Sequence, residues 1–156
     1  MTKEVTMQFD SVDAILDFAI GEEQKAADFY TKLASTASKP NIREMFTQFA
    51  NEEKGHKAKL RAARQGKLLL KSSEKILDLK IGDHLEEIEF TPNLDFQDAL
   101  IIAMKAEKNA FRLYSSMARQ ADDPGIRDML LALAQEEAKH KLRFEIEYDD
   151  LVFTED

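Results

Sequence analysis

The chain has 156 residues, 44% of them apolar and 33% charged, with five glycines, three prolines and no cysteine. That length suits one domain spanning 1–156, the mixture suits long amphipathic helices better than a loop-rich β fold, and the missing thiols exclude disulfides, thiolate zinc sites and iron–sulfur centres. A net charge of −8 with no dense Lys/Arg run argues against a nucleic-acid surface.

The opening Met1-Thr2-Lys3-Glu4-Val5-Thr6 lacks a signal-peptide core, and no window nears the roughly 20 apolar residues of a membrane span. A cytoplasmic protein is expected. Apolar residues then recur at intervals of three and four through Val12, Ile15, Leu16, Ala19, Ala26 and Leu33, which predicts a first helix over 11–37. Ser38-Lys39-Pro40 supplies a turn, with Pro in the next helix's first turn. The second helix, over 40–66, follows from Ile42, Met45, Phe46, Phe49 and Leu60. Residues 66–92 read as a connection, with His84 on its surface. A third helix over 94–121 follows from Phe96, Leu100, Ala103, Ala110 and Met117. Asp122-Asp123-Pro124-Gly125 makes the next turn, and a fourth helix over 124–148 carries Ile126, Met129, Leu130, Leu133 and Phe144.

The chain also repeats. An offset of 84 residues lays 12–60 on 96–144 without a gap, with sixteen of 49 positions identical, Tyr30/Tyr114, Pro40/Pro124 and Arg43/Arg127 among them. Two helical hairpins are expected. A helix of about 25 residues is about 38 Å long, and the 66–92 crossover can span that and return the chain to the opposite end. The resulting all-α fold is a four-helix bundle with one long crossover, the ferritin-like arrangement.

Each apolar stripe meets a charge. Glu23 falls on the inward series of the first helix, Glu53 and His56 on the second, Glu107 on the third, Glu137 and His140 on the fourth. A three-residue step keeps each Glu and His on one helix face. Glu23 and Glu53 lie equally far from Ser38, and Glu107 and Glu137 equally far from Asp122, so in antiparallel hairpins all six meet about 22 Å from the turns. Four carboxylates there cannot stay ionised and unpartnered. Two divalent cations balance them, and oxygen donors with imidazole suit iron or manganese; zinc fits but usually takes fewer ligands. Tyr30 and Tyr114, two turns beyond Glu23 and Glu107, either hydrogen-bond the ligand carboxylates or simply pack the core. Glu22, Glu52 and Glu136 adjoin ligands but should face solvent, so removing Glu136 should leave metal content unchanged.

Glu23, Glu53-Lys54-Gly55-His56, Glu107 and Glu137-Ala138-Lys139-His140 together resemble the ligand pattern of the di-iron carboxylate, ferritin-like proteins. The stretches from Ala19 to Tyr30 and from Ala103 to Tyr114 are most similar to the rubrerythrin-related group, over about 11–148. The resemblance implies two iron ions (manganese or zinc as alternatives), bridged by Glu53 and Glu137. Glu23 with His56 and Glu107 with His140 would be terminal, although the spacing leaves open which His shares an ion with which Glu. It also implies a homodimer, and reduction of hydrogen peroxide or dioxygen. The rival readings are ferrous-iron handling without turnover and a purely structural metal site. Two departures stand out. Full rubrerythrins carry a four-cysteine rubredoxin domain, so here an external protein is expected to donate electrons. Ala110 occupies the place of an extra carboxylate, which brings the ligand set nearer to that of bacterioferritin.

Overall fold

The computed structural model describes residues 11–66, 85, 88–90, 95–121 and 123–154. Asp122, His84 and most of the crossover lie outside them. Four helices follow in order: α1 (Val12–Thr36), α2 (Pro40–Gly66), α3 (Phe96–Gln120) and α4 (Pro124–Thr154).

Their ends follow from local chemistry. Ser11 caps α1 by accepting from the Ala14 N–H at 3.1 Å, and Asp95 caps α3 by accepting from Asp98 N–H at 2.8 Å. Each side chain satisfies an amide that has no partner within its helix. Helices α2 and α4 instead begin on proline, whose missing N–H would have been an orphan there. Both hairpin turns are fastened alike. The guanidinium of Arg43 donates to the Ala37 carbonyl at 3.4 Å, and that of Arg127 to the Ala121 carbonyl at 3.0 Å, each closing the end of the preceding helix. The repeat identity of this arginine thus has a backbone cause. Only the far end of α4 departs clearly from expectation. It runs to Thr154 rather than 148, because Asp149 and Asp150 are exposed and no glycine or proline stops the helix.

α1 packs along α2 and α3 along α4, and the two hairpins close face to face. The apolar interior falls into two clusters. One holds Ile15, Leu16, Leu60, Leu113, Leu130 and Leu133; the other holds Phe29, Phe46, Phe49, Leu100 and Phe144. Full burial of such side chains contributes about 1.5–3 kcal/mol each, which holds the helices in register around whatever lies between. Repeat-related positions trade shape here: Phe46 matches Leu130, Phe49 matches Leu133, and Leu60 matches Phe144. One end of the bundle is therefore aromatic and the other aliphatic. Between them lies a polar layer.

Candidate metal centre

That layer consists of Glu23, Glu53, His56, Glu107, Glu137 and His140, none more than 3% exposed. All six side chains singled out in the sequence converge there. Each is delivered by its helix one or two turns beyond buried apolar residues, as Glu23 follows Ile15, Leu16 and Ala19.

The six form two overlapping sets. Glu23, Glu53, His56 and Glu137 present ligand-type atoms within 4.8 Å of one another, and so do Glu53, Glu107, Glu137 and His140. Glu53 and Glu137 belong to both. The grouping sets His56 beside Glu23 and His140 beside Glu107: His56 Nδ1 lies 3.4 Å from Glu23 Oε2, and His140 Nδ1 lies 3.5 Å from Glu107 Oε1. His56 Nδ1 also approaches Glu137 Oε1 at 2.8 Å, while His140 Nδ1 approaches Glu53 Oε1 at 3.1 Å. These close approaches do not make hydrogen bonds. Among the described residues, the buried side-chain atoms without a hydrogen-bond partner are Glu23 Oε2, Glu53 Oε1, His56 Nδ1, Glu107 Oε2, Glu137 Oε1 and His140 Nδ1, one from each residue of the layer. Two donors on one cation, each roughly 2.1 Å away at right angles, stand about 3 Å apart. The spacing of the orphaned atoms suits a shared cation, and the residues fit a pair of ions.

The opposite edges of Glu23, Glu107 and both histidines are engaged. Tyr30 donates to Glu107 Oε1 at 2.5 Å, and Tyr114 donates to Glu23 Oε1 at 2.5 Å, each across from one hairpin to the other. Each terminal carboxylate thus has one oxygen held by a phenol and the other unpartnered. Of the two roles considered for the tyrosines, both hold, since each ring is also fully buried.

The histidines show a parallel arrangement that sequence reasoning missed. His56 Nε2 is hydrogen-bonded to Glu136, and His140 Nε2 to Glu52 at 3.0 Å. Glu136 and Glu52 were expected to face solvent. They are 41% and 38% exposed, yet their length lets each reach the histidine of the other hairpin. A carboxylate on Nε2 fixes the tautomer that leaves Nδ1 free as a ligand. Glu22 does face outward, pairing with Lys25 at 3.4 Å. A signal was present: Glu52 and Glu136 are repeat-related and identical, whereas Glu22 falls opposite Ala106.

Without cations the layer holds protons instead. Burial, then the nearby Glu107 and Glu23, push Glu53 and Glu137 well above the usual carboxylate range. Burial opposes charge on His140, but Glu107 and Glu53 outweigh it and push the imidazole up to about 11. His56 is raised against the same opposition by Glu23 and Glu136. Burial, reinforced by Glu107 for Tyr30 and by Glu23 for Tyr114, keeps both phenols protonated and donating. Phe49 stacks on the His140 ring at 4.0 Å and 21°, adding a wall to that half of the layer.

A four-helix bundle with a buried glutamate–histidine layer defines the ferritin-like class, and solved structures agree. A putative ferritin-like diiron-carboxylate protein from Thermotoga maritima superposes with a TM-score of 0.70 at 17% identity, covering 92% of this chain and 97% of that one. A hypothetical protein from Pyrococcus furiosus does so with a TM-score of 0.70 at 23% identity, covering 91% and 90%. No curated protein matches the sequence. Residues 14–148 match the rubrerythrin family, and the chain belongs to it. Among the described residues no helix is long and apolar enough to cross a membrane.

Proposed function

We propose that the chain binds two iron ions in this layer and reduces hydrogen peroxide or dioxygen with electrons from a separate donor protein. The observation that carries the reading is the set of six orphaned buried atoms, one per ligand, falling into two groups that share Glu53 and Glu137. Four carboxylates balance two divalent cations, and the oxygen-rich donor set with one imidazole per ion suits iron better than zinc. Ferrous iron held by these residues would supply two electrons, one per ion, which with two protons are what one hydrogen peroxide needs to become two waters.

The protein's share is positional. Glu53 and Glu137 span the two groups. Glu23 with His56 and Glu107 with His140 complete one end each. Tyr114 and Tyr30 hold the outer oxygens of Glu23 and Glu107, and Glu136 and Glu52 hold the outer nitrogens of His56 and His140. The apolar clusters on either side keep bulk water from the layer, which strengthens every charge interaction within it.

The test is to load the protein anaerobically with ferrous iron, add peroxide or air, and follow turnover with an artificial electron donor. Sustained turnover is expected. A single oxidation followed by retention of ferric iron would assign the chain to iron handling, and indifference to both oxidants would make the centre structural.

A further inference from the structure

Among the described residues, four of the five large apolar side chains that remain exposed belong to α4: Leu131 at 45%, Leu142 at 57%, Ile146 at 48% and Phe153 at 75%. Scattered singly, such residues need no explanation; these are aligned. At about 100° per residue they fall within about 60° of one another, on the outer crest of α4. Glu137 and His140 leave the helix from roughly the opposite side, so the crest is clear of the metal centre. The fold does not demand such a crest. At the same offset of 84, α2 carries Thr47, Ala58 and Ala62 where α4 has Leu131, Leu142 and Ile146, and all three are exposed. The first hairpin keeps these outer positions polar or small; the second does not.

The crest is also symmetric along its length. Counting from Leu142, Ala138 and Ile146 lie four residues to either side, Gln135 and Asp149 seven, and Leu131 and Phe153 eleven. A two-fold axis through Leu142 therefore sets a second, antiparallel α4 in self-complementary register. Leu142 would meet its own copy, large Ile146 would meet small Ala138, and Phe153 would meet Leu131. The Gln135 amide would donate to the Asp149 carboxylate. Ion pairs within the helix border the crest on both sides, Lys141 with Glu145 at 3.3 Å and Arg143 with Glu147 at 2.9 Å. An apolar strip inside a charged rim is the common build of a protein interface.

We propose that two copies of the chain pair through this crest, α4 against α4, antiparallel about a two-fold axis at Leu142. Contact with an unrelated surface does not require equal spacing to both sides of one residue; contact with a second copy does. The footprint, about 33 Å long and about 10 Å wide, is small for a permanent complex, so the dimer dissociates reversibly on dilution. Each copy keeps its six buried groups on its own four helices.

Sedimentation of the full chain at about 50 µM should show a dimer that dissociates as it is diluted. Leu142→Asp, which sets two carboxylates face to face on the axis, and Ile146→Asp should each weaken the dimer at least about a hundredfold, with circular dichroism and metal content unchanged from wild type. Because the chain has no cysteine, single cysteines report the register. Leu142→Cys should oxidise to a covalent dimer, and Ala58→Cys, its counterpart on α2, should not. Leu131→Cys and Phe153→Cys should cross-link when mixed, but neither with itself. A wild type that stays monomeric at this concentration would leave the crest to a different protein and overturn the proposal, as would a dimer that survives both aspartate variants. Leu131→Cys joining to itself would refute the antiparallel register. If one aspartate variant fails to fold, the other and the cysteine pairs still decide.

Discussion

Replacing Glu136 with alanine removes the acceptor on His56 Nε2 while leaving all six ligands in place. In the folded chain that acceptor holds the tautomer in which Nδ1 faces Glu23, Glu53 and Glu137. Without it the imidazole can carry its proton on Nδ1, and cation binding must then displace that proton and fix the ring. Loss of such an outer partner typically lowers metal affinity 10–100-fold, about 1.4–2.8 kcal/mol. Glu136 is 41% exposed, so water screens part of its charge and the lower half of that range is expected. The effect should fall on one ion. Anaerobic titration with cobalt(II) against a chromogenic chelator resolves the two affinities, and only the weaker should move away from wild type. Glu52→Ala should do the same through His140, and the double variant should weaken both. Glu22→Ala is the matched control, since Glu22 also precedes a ligand but pairs only with exposed Lys25. If Glu136→Ala holds both ions as tightly as Glu22→Ala does, the outer carboxylates do not position the histidines and the reasoning fails.

Ligand sharing makes a stoichiometric prediction. Glu53 belongs to both four-residue groups and Glu23 to one, so Glu53→Ala should retain well under one ion per chain and Glu23→Ala about one. Equal metal content in both, measured by plasma emission spectroscopy after gel filtration, would rule out the bridging assignment. The response to pH should invert on metal binding. In the metal-free chain Glu53, Glu137, His56 and His140 all have raised pKa values. A raised group stabilises the fold below its unfolded pKa and loses that contribution as pH climbs through the folded one, so the two glutamates weaken the metal-free fold from about pH 4.5 upward and the two histidines from about pH 6.5. Cation binding requires deprotonated ligands and strengthens over the same window. The Tm difference between loaded and metal-free protein should widen from roughly pH 5 to pH 8 in thermal melts; a constant or narrowing difference would contradict the assigned directions.

The six residues of the buried layer were legible because charge interrupts each apolar stripe at the same height. Glu23 after Ile15, Leu16 and Ala19 is visible on one helix alone, and the equal distances to the turns bring six such positions level. The pairing of His56 with Glu23 and of His140 with Glu107 was not legible. It depends on how far each helix is rotated about its own axis, which periodicity leaves loose by tens of degrees. Glu52 and Glu136 were misread for a related reason. A residue next to an inward ligand starts about 100° around the helix and faces the boundary with water, but a glutamate is long enough to turn back to a ring on the neighbouring helix. The expected end of α4 fell short of Thr154 although Tyr148 and Leu151 continue the helical spacing from Phe144.

The internal repeat separates these roles more sharply than any single helix. Glu23/Glu107, Tyr30/Tyr114, Glu52/Glu136, Glu53/Glu137 and His56/His140 are identical in both halves, and every one belongs to the layer or holds a group that does. Ala26/Ala110 is identical too, and both line a small cavity against the carboxylates. Some positions that only fill space have diverged, as Phe46 from Leu130 and Leu60 from Phe144, while others such as Leu16/Leu100 and Ala50/Ala134 have not. Packing tolerates a change of shape at one position if another compensates, so aromatic and aliphatic ends can both be dense. A cation pair has no such freedom, because each half must deliver the same donor atoms to the same small volume. Two copies of one hairpin can therefore change the shape of their packing residues while the layer they build together, and the turns that hold its helices level, stay the same.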